Sequence, residues 1–148
     1  MPKREHIMAV VQEWSMKADN DLKTASHTLK LGEDCPTDIV CFHAQQCVEK
    51  YIKALMVLKQ IPFPKTHDLS ELLHLLPAEF HSLLSNDEQK LLTVYATVTR
   101  YPGDYEEISL AEARRAVSIA RRLRKVIRGV ILGRSPLANK KNKHRKQK

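Results

Sequence analysis

The sequence predicts an all-α protein, an up-down antiparallel bundle of four long helices plus one short one. Three observations carry that prediction. The 148 residues include only 4 glycines. Apolar residues recur at spacings of three and four over long stretches, as on the buried face of a helix. Prolines fall in the gaps between those stretches, where a helix must stop or restart.

The first helix is expected over residues 5–31. Ile7, Val11, Trp14, Ala18, Leu22, Ala25 and Leu29 share one face, while Glu13, Lys17, Asp19, Asp21 and Lys23 form a solvated side. Gly32 is the expected stop, since glycine tolerates the left-handed backbone past a helix end. Pro36 then suits the opening turn of a second helix running to about Gln60, ahead of Pro62 and Pro64. Its core face is Val40, Ala44, Cys47, Val48, Tyr51, Leu55 and Leu58. His43, Gln46, Glu49, Lys50 and Lys53 lie opposite, interrupted by Phe42 and Met56. That interruption reads either as a subunit contact or as packing under the following loop.

A short helix follows Thr66-His67-Asp68 and closes at Pro77. Ser85 with Glu88 forms a capping box, in which each side chain satisfies the other's free backbone N–H. The fourth helix then runs through Leu91, Leu92, Val94, Tyr95 and Val98 to near Thr99. Ser109 with Glu112 repeats the box for the last helix. Ala113, Ala116, Val117, Ala120, Leu123, Ile127, Val130 and Ile131 form its apolar face, with Arg114, Arg115, Arg121, Arg122, Lys125 and Arg128 opposite. The bundle is assigned to residues 1–134 and a disordered basic tail to 135–148, since Asn139–Lys148 has no apolar residue to bury.

The net charge of +8 is unevenly placed. Residues 1–108 carry 11 Lys/Arg and 16 Asp/Glu, whereas residues 109–148 carry 14 Lys/Arg and the single acid Glu112. Positive charge therefore belongs to the last helix and the tail. Three cysteines, two of them in apolar helical positions, read as reduced and structural, which suggests a cytoplasmic protein. No CxxC pair or histidine spacing suits zinc, and neither a metal nor another cofactor is expected. No apolar run reaches the ~20 residues of a membrane span, and the amino terminus lacks the apolar core of a signal peptide.

Three segments taken in order resemble one family. Cys41–Leu55 resembles the second-helix signature of HEPN proteins (higher eukaryotes and prokaryotes nucleotide-binding). Thr66–Leu69 is similar to the family's loop into the short helix, and Arg100–Pro102 to the segment after its fourth helix. Trp14 and Ala18–Leu22 fit the first helix. The resemblance spans about residues 7–132. It implies a helical bundle, usually a homodimer, often made beside a small nucleotidyltransferase. It also implies a nucleotide or RNA ligand and, in several branches, a metal-independent endoribonuclease of toxin–antitoxin or defence type.

Those ribonucleases carry an arginine followed four to six residues later by a histidine. The pairing suits cleavage through the 2′-OH: histidine moves protons near neutral pH, and arginine holds the phosphorane. Here Arg100 is followed in that window by Asp104, Tyr105 and Glu106. Tyrosine, near pKa 10, carries protons poorly at pH 7. Losing general acid–base help costs ~10²–10⁴-fold in rate.

The leading expectation is accordingly a HEPN-like protein that binds nucleotide or nucleic acid with little or no cleavage. The alternative is an endoribonuclease using Arg100 with Tyr105 or His67, and a second alternative is a helical interaction module. Candidate phosphate ligands are Lys50, Lys53, Arg100 and Tyr101. For the lysines the competing reading is ordinary i,i+4 pairing of Glu49 with Lys53. For Arg100 it is bonding to helix-end carbonyls and Asp104, and for His67 a place in a capping loop. Arg114, Arg121, Lys125 and Arg128 are the candidate nucleic-acid contacts, against a merely solvated face. The tail would add electrostatic attraction without sequence readout.

Overall fold

The computed structural model describes residues 3–96 and 107–136. Arg100, Tyr101, Tyr105 and residues 137–148 lie outside the described residues. Helix α1 spans Arg4–Leu29, α2 Thr37–Leu58, α3 Leu69–Leu75, α4 Asn86–Ala96 and α5 Leu110–Ile131. Short 3₁₀ turns at Gly32–Asp34 and Ala78–Leu83 fill two of the gaps. No strand occurs among the described residues.

Chain signals place the ends as expected. Gly32 takes φ 66° just after α1. Asp68 caps α3 by accepting from the Ser70 and Glu71 amides at 3.0 and 3.3 Å. At α4, the Ser85 amide donates to Glu88 Oε1 at 2.8 Å and the Glu88 amide to Ser85 Oγ at 3.1 Å. Ser109 caps α5 through the Glu112 amide at 3.0 Å.

Cross-helix contacts fix the directions. Asp21 of α1 meets His43 and Lys50 of α2, and Ser26 meets Arg121 of α5. Rising residue numbers on α1 face falling numbers on α2, from Trp14 beside Lys53 and Asp19 beside Tyr51 to Asp21 beside Lys50 and His43. They also face falling numbers along α5, where Asp19 reaches Arg124 and Arg128 while Ser26 reaches Arg121. Glu88 near the start of α4 meets Arg122 late in α5. The up-down antiparallel bundle is therefore the observed architecture, with α3 laid against α4 through Ser70 and Gln89.

Helix α2 corrects one expectation. It is the central helix, packed by α1, α4 and α5, and its supposed outer face is largely covered. Glu49 is 3% and Lys53 8% exposed, and Met56 is fully buried. The loop after α2 folds back over this end, with the Ile61 amide bonded to the Met56 carbonyl at 2.9 Å and Phe63 edge-on to Trp14. Packing under the loop thus accounts for Met56, while Phe42 and Ile39 stay at the surface.

A buried carboxylate needs partners, because desolvation strongly disfavours a lone charge. Glu49 has three: Gln45 Nε2 at 3.0 Å, Lys53 Nζ at 3.1 Å and His67 Nδ1 at 2.7 Å. Lys53 also lies 5.7 Å from the ring centres of both Trp14 and Phe63, a cation–π clamp. Replacing Glu49 with Ala would strand Lys53 and should cost about 3–5 kcal/mol of stability. Urea unfolding of the variant reads this directly. Burial pushes the Cys47 thiol up to about 12, helped by the Asp19 and Asp21 charges. Native protein at pH 8 should therefore leave Cys47 unalkylated by iodoacetamide, whereas unfolded protein should not; peptide mapping checks both.

Candidate functional site

The Asp19–Arg124 contact centres the charged seam where α1 crosses α5. Both residues sit at the edge of their helix's apolar face. Arg124 lies four residues after Ala120 and three before Ile127, and Asp19 follows Ala18. At such boundaries a side chain leaves the core yet reaches the neighbouring helix. Arg124 Nε donates to Asp19 Oδ1 at 2.8 Å and an Arg128 N–H to Oδ2 at 3.4 Å. The Tyr51 hydroxyl donates to Asp19 from α2. Asp21, two residues on, turns toward α2 and accepts from Lys50 at 2.6 Å and His43 at 2.8 Å. The expectation that Asp19 and Asp21 lie on a solvated side is thereby corrected: α1 packs against α2 and α5, and these two acids pair with Lys50 of α2 and with Arg124 and Arg128 of α5.

Three adjoining cavities of about 280, 480 and 350 Å³ line this seam. The first two share Leu22, Arg121 and Arg124, and the third meets them at Asp19 and Arg128. Together they form one groove with cations on both walls. Lys23 comes from α1 and Lys30 from just past its end, with the His27 ring between them; Arg121, Arg124, Lys125 and Arg128 come from α5, with Arg134 just beyond. Among the described lining residues Asp19 is the single acid.

Burial raises the Asp19 carboxyl, but hydrogen bonds from Arg124 and Tyr51 and the two arginine charges outweigh it and hold it below its ordinary value. Arg124 is stabilised as a cation in return, chiefly by its bond to Asp19. Burial, then the bond to Asp19, pushes Tyr51 up to about 12, so it stays a neutral donor. On the far edge of α5, Arg122 grips Glu88 through both N–H groups at 2.9 and 2.7 Å. That pairing holds Glu88 below its ordinary value despite burial.

The expected site residues are divided by this geometry. Arg121, Lys125 and Arg128 line the groove, whereas Arg114 is exposed outside it. Lys50 and Lys53 each have a carboxylate partner, Asp21 of α1 and Glu49 of α2 itself. His67 is bound to Glu49 and its side chain is 57% exposed. Sequence reasoning missed Arg124 and Asp19, and also Lys23, His27 and Lys30. The usable signal for Arg124 was its place beside the apolar stripe; for the α1 cations it was their i, i+4, i+7 spacing.

The Asp19 and Glu88 carboxyls are both held below their ordinary pKa values, so their pairing should stabilise the fold fully above the ordinary carboxylate range. It should be lost as pH falls below it, through the lowered folded-state values. Asp19→Asn should therefore show a smaller loss of urea stability between neutral pH and pH ~3 than the parent chain. An equal loss would mean the Asp19 contacts contribute nothing.

Comparison with known proteins adds the family. The model of the HEPN domain matches residues 11–130. The crystal structure of an archaeal HEPN homologue superposes with a TM-score of 0.62 at 26% identity, covering 82% of this chain and 97% of that one. A comparison with curated proteins finds no match. Arranged as this bundle is, and matched over most of its length, the chain belongs to the HEPN domain family.

Proposed function

We propose that this HEPN protein binds a phosphate-bearing ligand, a nucleotide or nucleic acid, along the α1–α5 groove. The observation that supports it is the convergence of cations from two helices on one concave seam. Phosphate oxygens are the acceptors that such guanidinium and ammonium groups fit. Family membership points the same way, since HEPN proteins are nucleotide- or RNA-related helical proteins. The basic residues of 138–148 follow the groove's Arg134 end in sequence and would extend its attraction. A homodimer is part of the proposal, supported by the exposed Ile39 and Phe42 on α2. So is a nucleotidyltransferase partner in a toxin–antitoxin or defence setting, by the family resemblance alone.

A second reading, weak metal-independent RNA cleavage, is favoured by one contact. Glu49 holds His67 Nδ1, which leaves Nε2 of a half-exposed ring to exchange protons. Arg100, Tyr101 and Tyr105, which that reading also needs, lie outside the described residues.

Fluorescence anisotropy with labelled single-stranded RNA and with a labelled nucleotide tests the binding proposal. Affinity should fall steeply with salt, with a log–log slope of roughly −3 if about four phosphates are contacted. No binding at low salt would leave the helical interaction module standing. Incubating labelled RNA with the protein in EDTA, beside Arg100→Ala, tests cleavage; products lost in the variant would overturn a purely binding role. Light scattering at micromolar concentration should give a dimer mass.

A further inference from the structure

Asp19 is the anomaly of the groove. A carboxylate among so many cations should weaken phosphate binding, yet it is held ionised at the seam's centre by Arg124, Arg128 and Tyr51. Each guanidinium has five N–H donors, and Asp19 takes the Nε of Arg124 and one terminal N–H of Arg128. Donors are left over on both, on side chains whose freedom the carboxylate has removed. Arg124 lines both of the first two cavities. From Arg121 to Arg128 the α5 wall extends about 10 Å at 1.5 Å per residue, more than one phosphate group can bridge. No Phe, Tyr or Trp lines the groove among the described residues, so its cations offer far more to phosphates than its single imidazole, His27, offers to a base.

We propose that the groove takes a chain of at least two linked phosphates, and that Asp19 is a positioning residue that aims Arg124 and Arg128 at it. The inference rests on the phosphate-binding reading above and sharpens it. The shared chemistry is the phosphate chain itself, whose source is an inorganic polyphosphate or a nucleic-acid backbone.

The sign of one substitution decides the role of Asp19. If it were only a repelling charge, Asp19→Asn would tighten phosphate binding. As a positioning residue, its loss should weaken binding roughly tenfold, the scale of one hydrogen bond to a charged group. Arg124→Lys keeps the charge but loses the fork and the Nε bond, and should weaken binding similarly with the salt slope unchanged. Titration calorimetry on the full chain would use sodium tripolyphosphate, a 12-nucleotide single strand and inorganic phosphate. A cooperative urea transition that begins well above zero denaturant confirms that each variant is folded under the binding conditions, and Arg124→Lys carries the test if Asp19→Asn does not fold. The tighter of the two chain ligands identifies the source, and inorganic phosphate should bind at least tenfold more weakly than either. Equal binding of inorganic phosphate would overturn the chain ligand. Tighter or unchanged binding by Asp19→Asn, or unchanged binding by Arg124→Lys, would overturn the positioning role while leaving phosphate binding intact. No binding of any probe by the parent chain would overturn both.

Discussion

Helix α2 is enclosed on its length by α1, α4, α5 and the loop that follows it, and it nevertheless carries charged residues. Asp38 at its start is in solvent, but Glu49, Lys50 and Lys53 must be neutralised where they lie, because an unpaired charge in such a place costs more than the fold can bear. The neutralising groups come from outside α2 or from one turn away on it. Asp21 of α1 takes Lys50 and His43, Glu49 takes Lys53 and His67, and Tyr51 gives its hydroxyl to Asp19. These contacts set the rotation of α1 on α2, and through Asp19 they set where α5 can lie. The apolar core supplies adhesion without direction; the paired charges choose one arrangement of the helices within it.

That same constraint produces the groove. α5 carries more cations than the bundle can pair internally: Arg122 is spent on Glu88, and Arg124 and Arg128 share a single carboxylate. With Lys23 on α1 and Lys30 just past its end on the other wall, the seam keeps an excess of positive charge that its single acid, Asp19, does not balance. A polyanion would complete it at little reorganisation cost, since the central side chains are already fixed.

Much of the fold was legible in the sequence. The three- and four-residue periodicity located every long helix, Ser85, Glu88 and Ser109 marked ends that proved to be true caps, and Gly32 took the left-handed backbone just past α1. What stayed hidden were partners. A helical wheel gives the angle of Asp21 or Lys53 but not which helix faces that angle, so a residue buried against a neighbour looks the same as one in water. Glu49 and Lys53 at i,i+4 have the pattern of an ordinary surface pair, and only the loop folded over Trp14 and Phe63 makes them interior. Arg124 was overlooked for the same reason. Its position beside the apolar stripe reads as neither core nor surface until Asp19 is seen opposite.

The groove also bears on how the family's chemistry divides over this chain. Cleaving RNA requires a proton carrier placed beside the arginine that steadies the phosphate, and the sequence puts no histidine in that window after Arg100. Binding requires only fixed positive charge with correctly spaced donors, which α1 and α5 supply through residues unrelated to that motif. The two demands fall on different residues, so the proposed hold on phosphate does not depend on the histidine that the sequence lacks after Arg100.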